Sequence, residues 1–263
     1  MTDVVLLTTD SCGVATLTLN RPEKHNAFDA ALIAELTQKL AQLNNDDRVH
    51  IVILTGAGKS FSAGADLAWM RSMAKFSEAE NIEDALKLAE LMDALNTLRK
   101  PTIARVQGAV YGGGVGLVAC CDIAVASDNA KFCLSEVRLG LVPSVISPYV
   151  LAAIGAHQAR RYFLTADVIE AARAREIGLV HEVVTADELD GAVEREVTLL
   201  LKAGPKALAA CKELIAANAA ASVSARRALK QKTAQLIAQL RVSAEGQEGL
   251  SAFLEKRLPK WNI

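Results

Sequence analysis

Residues 102–127 read TIARVQGAVYGGGVGLVACCDIAVAS, and the parsing of this stretch decides the fold. TIARV is an apolar, β-branched run of strand length. Glycines at 112, 113, 114 and 116 follow, with an apolar segment that leaves room for about two helical turns before IAVAS resumes a strand-like pattern. KFCLSE (131–136) then supplies another short strand. Toward the N-terminus, VVLLTT (4–9) and GVATLTL (13–19) alternate around a Cys-Gly turn, as in a hairpin. Leu32, Leu36, Leu40 and Leu43 form one helical stripe behind Asp29, a natural cap, and VHIVIL (49–54) is apolar enough for a strand covered on both faces. A further amphipathic helix is predicted from about Ser77 to Arg99, closed by Lys100-Pro101. Alternating β and α segments predict an α/β core with parallel pairing over residues 1–190. Beyond about residue 186 strand runs vanish, and Leu229, Leu236 and Leu240 mark a helical region, taken as 191–263, whose Ala-rich faces serve either as core or as subunit contact.

The 263 residues suffice for a large core, and 29 basic against 30 acidic side chains give a net charge of -1. Such a balance offers no electrostatic footprint for nucleic acid or an anionic membrane. The N-terminus lacks the pattern of a signal peptide and no apolar run reaches membrane-spanning length, so a cytoplasmic protein is expected. Five cysteines (12, 120, 121, 133, 211) follow no disulfide framework, and four histidines (25, 50, 157, 181) are scattered, so neither a disulfide scaffold nor a metal site is expected.

Two nucleotide motifs are present only in degenerate form. Gly58-Lys59-Ser60 ends like a phosphate loop, but Ile53 stands where its first glycine belongs, so TGAGKS (55–60) reads as a turn. Gly114-x-Gly116-x-x-Ala119 resembles a dinucleotide fingerprint, yet its helix is too short and the strand order that should lead such a fold is not at the N-terminus. More specific is a pair of glycine turns, SAGADL (62–67) and YGGGVG (111–116), each expected to open a short helix. Backbone N–H groups at such turns, backed by a helix dipole, suit a carbonyl oxygen that gains negative charge. Glu136, after the apolar run KFCL, is a candidate proton carrier, and Asp122 reads as a residue that orders backbone.

NRPEKHNAF (20–28), FSAGADL (61–67), VQGAVYGGGVGLVACCDIAVAS (106–127), AKFCLSEVRLGLVPS (130–144) and the tail AFLEKRLPKW (252–261) together resemble the enoyl-CoA hydratase/isomerase (crotonase) superfamily. The resemblance implies a spiral of ββα turns, a helical C-terminal region that drives homotrimer or dimer-of-trimers formation, and an acyl-CoA thioester substrate with no separate cofactor. It places the oxyanion-hole N–H groups at Ala65 and Gly113. CoA contacts are implied for Lys24, His25, Ala27, Ala63, Gly64, Asp66 and Leu67, and for Phe253 and Lys256 from a neighbouring subunit. Trp69, Met70 and Ser144 are candidate acyl-pocket walls.

Hydratases of that superfamily pair two glutamates. One corresponds to Glu136, but the other position is Gly116, and no Glu or Asp occurs between Tyr111 and Asp122. A Δ3,Δ2-enoyl-CoA isomerase needs only one base, so the site chemistry alone favours isomerisation. The segments GADLAWMRSMA, FCLSEVRLGLVPSVISPYV and ARRYFLTAD resemble instead the bacterial 3-methylglutaconyl-CoA and carboxygeranoyl-CoA hydratases. On that resemblance the expected function is hydration of a branched enoyl-CoA, with Gly116 making room for the branch at C3. A non-catalytic acyl-CoA-binding paralogue is the remaining alternative.

Overall fold

The computed structural model describes residues 3–73, 76–219, 244–245, 248, 252, 255 and 257–260. Phe253, Lys256, Leu229, Leu236 and Leu240 lie outside the described residues. Strands β1 (Val5–Thr9) and β2 (Val14–Leu19) form the expected antiparallel hairpin. Its turn is closed by the Asp10 carboxylate, which accepts from the Cys12 and Val14 N–H groups at 2.8 and 2.9 Å. Helix α1 (Ala30–Asn45) buries the leucine stripe together with Ile33, and the Asp29 side chain caps it by accepting from Leu32 N–H at 2.9 Å. Asp29→Ala should cost about 1–2 kcal/mol through loss of this cap, read as a lower midpoint in denaturant unfolding.

Strand β3 (Ile51–Gly56) runs parallel to β2, and α2 (Leu67–Met73) and α3 (Glu78–Asn96) follow. Ser77 and Glu80 build a reciprocal capping box at the start of α3, which explains why the long amphipathic stretch begins there. The decisive stretch gives β4 (Thr102–Val106), β5 (Ala109–Tyr111), α4 (Gly113–Cys120) and β6 (Ile123–Ser127), with β7 (Lys131–Cys133) next. The chain continues through α5 (Ser147–Thr165), β8 (Ile169–Glu170), α6 (Ala171–Glu176), β9 (Glu182–Val184), α7 (Leu189–Leu201) and α8 (Pro205–Ala219).

The main sheet has the order β1-β2-β3-β4-β6-β9 and is parallel from β2 onward. A second, small sheet, β5-β7-β8, was legible in the sequence only at KFCLSE, which forms β7. Its other strands, of three and two residues, carry no periodic signal. One face of the main sheet packs on α1, α3, α4 and α5, joining Leu36, Leu95, Leu117 and Val150 in a single core. Its other face, through Val14, Ile51, Ile103 and Val125, takes Leu189, Ala192 and Val193 of α7. Residues 190 and 191 both lie within α7.

Asp122 orders backbone as read. Its Oδ2 accepts from the Thr102 N–H and hydroxyl at 2.7 and 2.9 Å, and pairs with Lys212 of α8 at 2.5 Å. Among the described residues no helix is long and apolar enough to cross a membrane.

Candidate active site

Three loops meet where the small sheet abuts the chain after β3. The Ser62 N–H donates to Ala109 O at 3.1 Å and Ser62 O accepts from Tyr111 N–H at 2.9 Å, so the SAGADL segment pairs with β5. On the other side of β5, the Gly112 N–H donates to Cys133 O at 2.9 Å, which brings in the turn carrying Glu136. Gly64 and Gly112 adopt φ of +88° and +50°, values that suit glycine. The contact between them is as tight as the angles suggest. A Cβ on Gly64 would fall 3.0 Å from Tyr111 O, and one on Gly112 would fall 4.0 Å from Gly64 Cα and 3.3 Å from Glu136 Oε1. Side chains at either place would wedge the turns apart.

Ala65 and Gly113 are the residues immediately after this contact. Neither N–H donates a hydrogen bond among the described residues, and both residues are accessible. Gly113 is the first residue of α4, so its N–H points out of the positive helix end as expected. Ala65 differs from expectation, since it precedes α2 by two residues and gains nothing from that helix's first turn. Its orientation comes instead from a parallel bridge. Phe28 N–H donates to Gly64 O at 2.6 Å and Phe28 O accepts from Asp66 N–H at 2.8 Å, which leaves the Ala65 N–H between them unpaired.

Glu136 begins a short 3₁₀ turn (Glu136–Leu139) after β7. Its Oε2 is a buried side-chain oxygen with no hydrogen-bond partner among the described residues. Burial pushes its carboxyl pKa above the ordinary range, because lost water outweighs the lowering by the hydrogen bond from its own backbone N–H. Arg138, two residues on, does not neutralise it, since its guanidinium donates to Ala166 O at 2.8 Å. The turn continues into Leu139, Leu141 and Val142, all more than half exposed, an apolar rim beside the carboxylate that the sequence reading did not single out.

The residue at 116 overturns one expectation. Gly116 is buried in α4, and the space a side chain would need is already occupied by Ile146. A Cβ there would overlap the Ile146 Cγ2 methyl, and would lie 2.9 Å from Ile146 Cβ and 3.2 Å from Met92 Cε. Gly116 therefore leaves no room for a branch at C3; it makes room for Ile146, itself only 3 % exposed. Ser144, an exposed residue two positions earlier, belongs to the loop that delivers Ile146 to α5. Trp69 and Met70 are half-buried on α2, with Trp69 packed against the main core.

The expected CoA-contacting residues separate into two groups. Lys24 is half exposed, His25 and Leu67 are exposed, and Ala63 is half-buried, so these can face a ligand. Ala27, Gly64 and Asp66 are turned into the protein instead. Ala27 O accepts from Arg21 Nη1 at 2.8 Å. The Asp66 carboxylate pairs with Lys24 at 2.9 Å and Arg21 at 3.1 Å, and accepts from the Ala68 N–H at 2.8 Å. The hydrogen bond from Lys24 is the largest influence holding its pKa down at about 2. Asp66 thus fixes the loop and starts α2, so its carboxylate is engaged within the protein. His25 keeps an outward position through a contact of 3.0 Å between its Nδ1 and Ser60 Oγ.

Two unengaged N–H donors beside a desolvated carboxylate form a site for enolate chemistry on a carbonyl compound. Residues 9–263 match the family described as Enoyl-CoA hydratase/isomerase. An enoyl-CoA hydratase structure from Shewanella pealeana superposes with a TM-score of 0.93 at 45% identity, covering 98% of this chain and 96% of that one. The crotonyl-CoA hydratase of Syntrophomonas wolfei is 36% identical over 93% of this chain and 92% of its own length. The trans-2-decenoyl-[acyl-carrier-protein] isomerase of Streptococcus mutans is 31% identical over 95% and 94%. The chain belongs to the enoyl-CoA hydratase/isomerase family of enzymes and has its mixed α/β crotonase fold.

Proposed function

We propose that the protein is an enoyl-CoA hydratase in which Glu136 is the one acid–base side chain. The observation that carries this reading is the buried, unpartnered Glu136 Oε2 beside the turns that present the Ala65 and Gly113 N–H groups. In the proposed cycle those N–H groups donate to the thioester oxygen of the substrate. Glu136 orders a water and takes its proton as the oxygen adds to C3, while the C2=C3 pair moves toward the thioester to form an enolate. The protonated Glu136 then returns a proton to C2 and the enolate collapses. Hydrogen bonds to the oxyanion strengthen as charge develops, and such donors are worth about 10²–10³ in rate each.

A branched, 3-methylglutaconyl-type acyl group is the substrate we favour, supported by the resemblance of the FCLSEVRLGLVPSVISPYV segment to hydratases of that class. The same resemblance supports trimeric assembly, with Phe253 and Lys256 reaching a neighbour's CoA. One observation favours a second reading. Ile146 fills the place beside Gly116, so no carboxylate can stand there opposite Glu136, and one base suffices for a Δ3,Δ2-enoyl-CoA isomerase. Mass analysis after incubation with crotonyl-, 3-methylglutaconyl- and 3-enoyl-CoA thioesters separates the two. Hydration adds one water, whereas isomerisation leaves the mass unchanged and moves the double bond. Equal turnover of crotonyl- and 3-methylglutaconyl-CoA would refute the branched preference.

A further inference from the structure

Both proposed oxyanion donors adjoin one buried residue, Phe28. The Phe28 backbone straddles Ala65, with its N–H on Gly64 O at 2.6 Å and its carbonyl on Asp66 N–H at 2.8 Å. The Phe28 ring lies under the other donor, since a Cβ on Gly113 would sit 3.1 Å from Phe28 Cε2 and 3.4 Å from Cδ2. The side chain is 2 % exposed and belongs to the main core, so the ring cannot swing away without opening a cavity. A buried guanidinium holds this arrangement from behind. Arg21 Nη1 donates to Ala27 O at 2.8 Å and meets Asp29 Oδ2 at 2.7 Å, while Nη2 reaches Asp66 Oδ2 at 3.1 Å. One rigid fork thereby grips the residue before Phe28 and the residue after Ala65. The Arg21 main chain is itself fixed, its N–H donating to Asn26 Oδ1 at 2.9 Å.

We propose that Phe28 is the positioning residue that sets the separation and aim of the Ala65 and Gly113 N–H groups, with Arg21 clamping it in place. This rests on the thioester-binding reading of the site. Backbone donors are useful only where the oxygen arrives, and a misplacement of about 1 Å can cost about 10²-fold in rate. Phe28→Leu shortens the support under Gly113. Arg21→Lys keeps the charge but replaces the planar fork by a single ammonium that cannot span Ala27 O and Asp66.

The test uses the full chain with unreactive butyryl-CoA labelled with ¹³C at the thioester carbonyl, whose infrared stretch falls when two N–H groups polarise it. The native protein should show the lowered stretch. Phe28→Leu and Arg21→Lys should lose most of it, with kcat down by about 10- to 100-fold and KM within about threefold. Leu40→Ala, a core truncation on α1 remote from the site, should lower thermal stability while leaving the stretch and kcat per folded molecule unchanged. A native shift that persists in both site variants overturns the positioning role alone. No shift in the native protein overturns the thioester reading and the positioning role with it. Should Phe28→Leu fail to fold, Arg21→Lys carries the same readout.

Discussion

Glu136→Gln is expected to remove hydration while making the folded protein more stable at neutral pH. Loss of the proton carrier should lower kcat by about 10²–10⁴, the usual range for a positioned acid or base. The stability change has the opposite sign because the Glu136 Oε2 atom is buried without a hydrogen-bond partner among the described residues. Its pKa in the folded state is raised by burial, so the folded state holds its proton more tightly than the unfolded chain does. Stability then falls as pH rises from the unfolded carboxyl value through the raised folded one, and at neutral pH the ionised group burdens the native state. Glutamine removes that burden. Its advantage in melting temperature should be largest at neutral pH and disappear on acidification below the ordinary carboxylate range, where Glu136 is protonated in both states. The acid limb of kcat/KM in the native enzyme should correspondingly lie above the ordinary glutamate value of about 4.3. A variant that is inactive and also destabilised at neutral pH would place Glu136 in a satisfied ion pair, contrary to its surroundings.

Gly116→Glu, the substitution that would restore a two-carboxylate sequence, is expected to prevent stable folding rather than improve catalysis. Its Cβ would overlap Ile146 Cγ2 and crowd Met92 Cε, and its carboxylate would enter the apolar seam between α4 and α5. Overpacking alone costs about 1–3 kcal/mol, and an unpaired buried charge adds several more. Gly116→Ala isolates the steric part. Helix propensity favours alanine by about 1 kcal/mol, but the overlap outweighs it, so a lower denaturation midpoint is expected. Ile146→Ala in the Gly116→Ala background removes the overlapping methyl and should recover part of the loss, because the 2.9 Å approach of the two Cβ positions remains. Additive effects in this cycle would show that the two residues do not share the space.

These outcomes mark where sequence reading succeeded and where it stopped. The leucine stripe of α1, its Asp29 cap and the β-branched parallel strands were legible because period and capping are local properties. So was the pairing of two glycine turns, since backbone N–H donors require glycine where the turns touch. The occupant of the space at Gly116 was not legible. Ile146 arrives from thirty positions further along the chain, and an absent side chain does not disclose whether ligand or protein fills the gap. The engagement of the Asp66 carboxylate was not legible for a similar reason. Its partner Arg21 is 45 positions away, and only the fold reveals that the carboxylate is already engaged. Phe28 and Arg21 stood inside a motif noted for its loop, while their support of Ala65 and Gly113 depends on a bridge between distant segments.

The cysteines near the glycine turn bear on the chemical durability of the enzyme. Conjugated thioesters of the kind proposed here as substrates are electrophiles that add thiolates at C3, so every nucleophilic sulfur near the site is a potential point of self-inactivation. Cys120 and Cys121 close α4, and Cys133 supplies the carbonyl that holds Gly112. All three are buried, and burial raises their pKa values, to about 12 for Cys121. Cys133 is further occupied, its thiol donating to Ala166 O at 3.2 Å. The packing that anchors the glycine turn thereby also keeps these sulfurs protonated and unreactive.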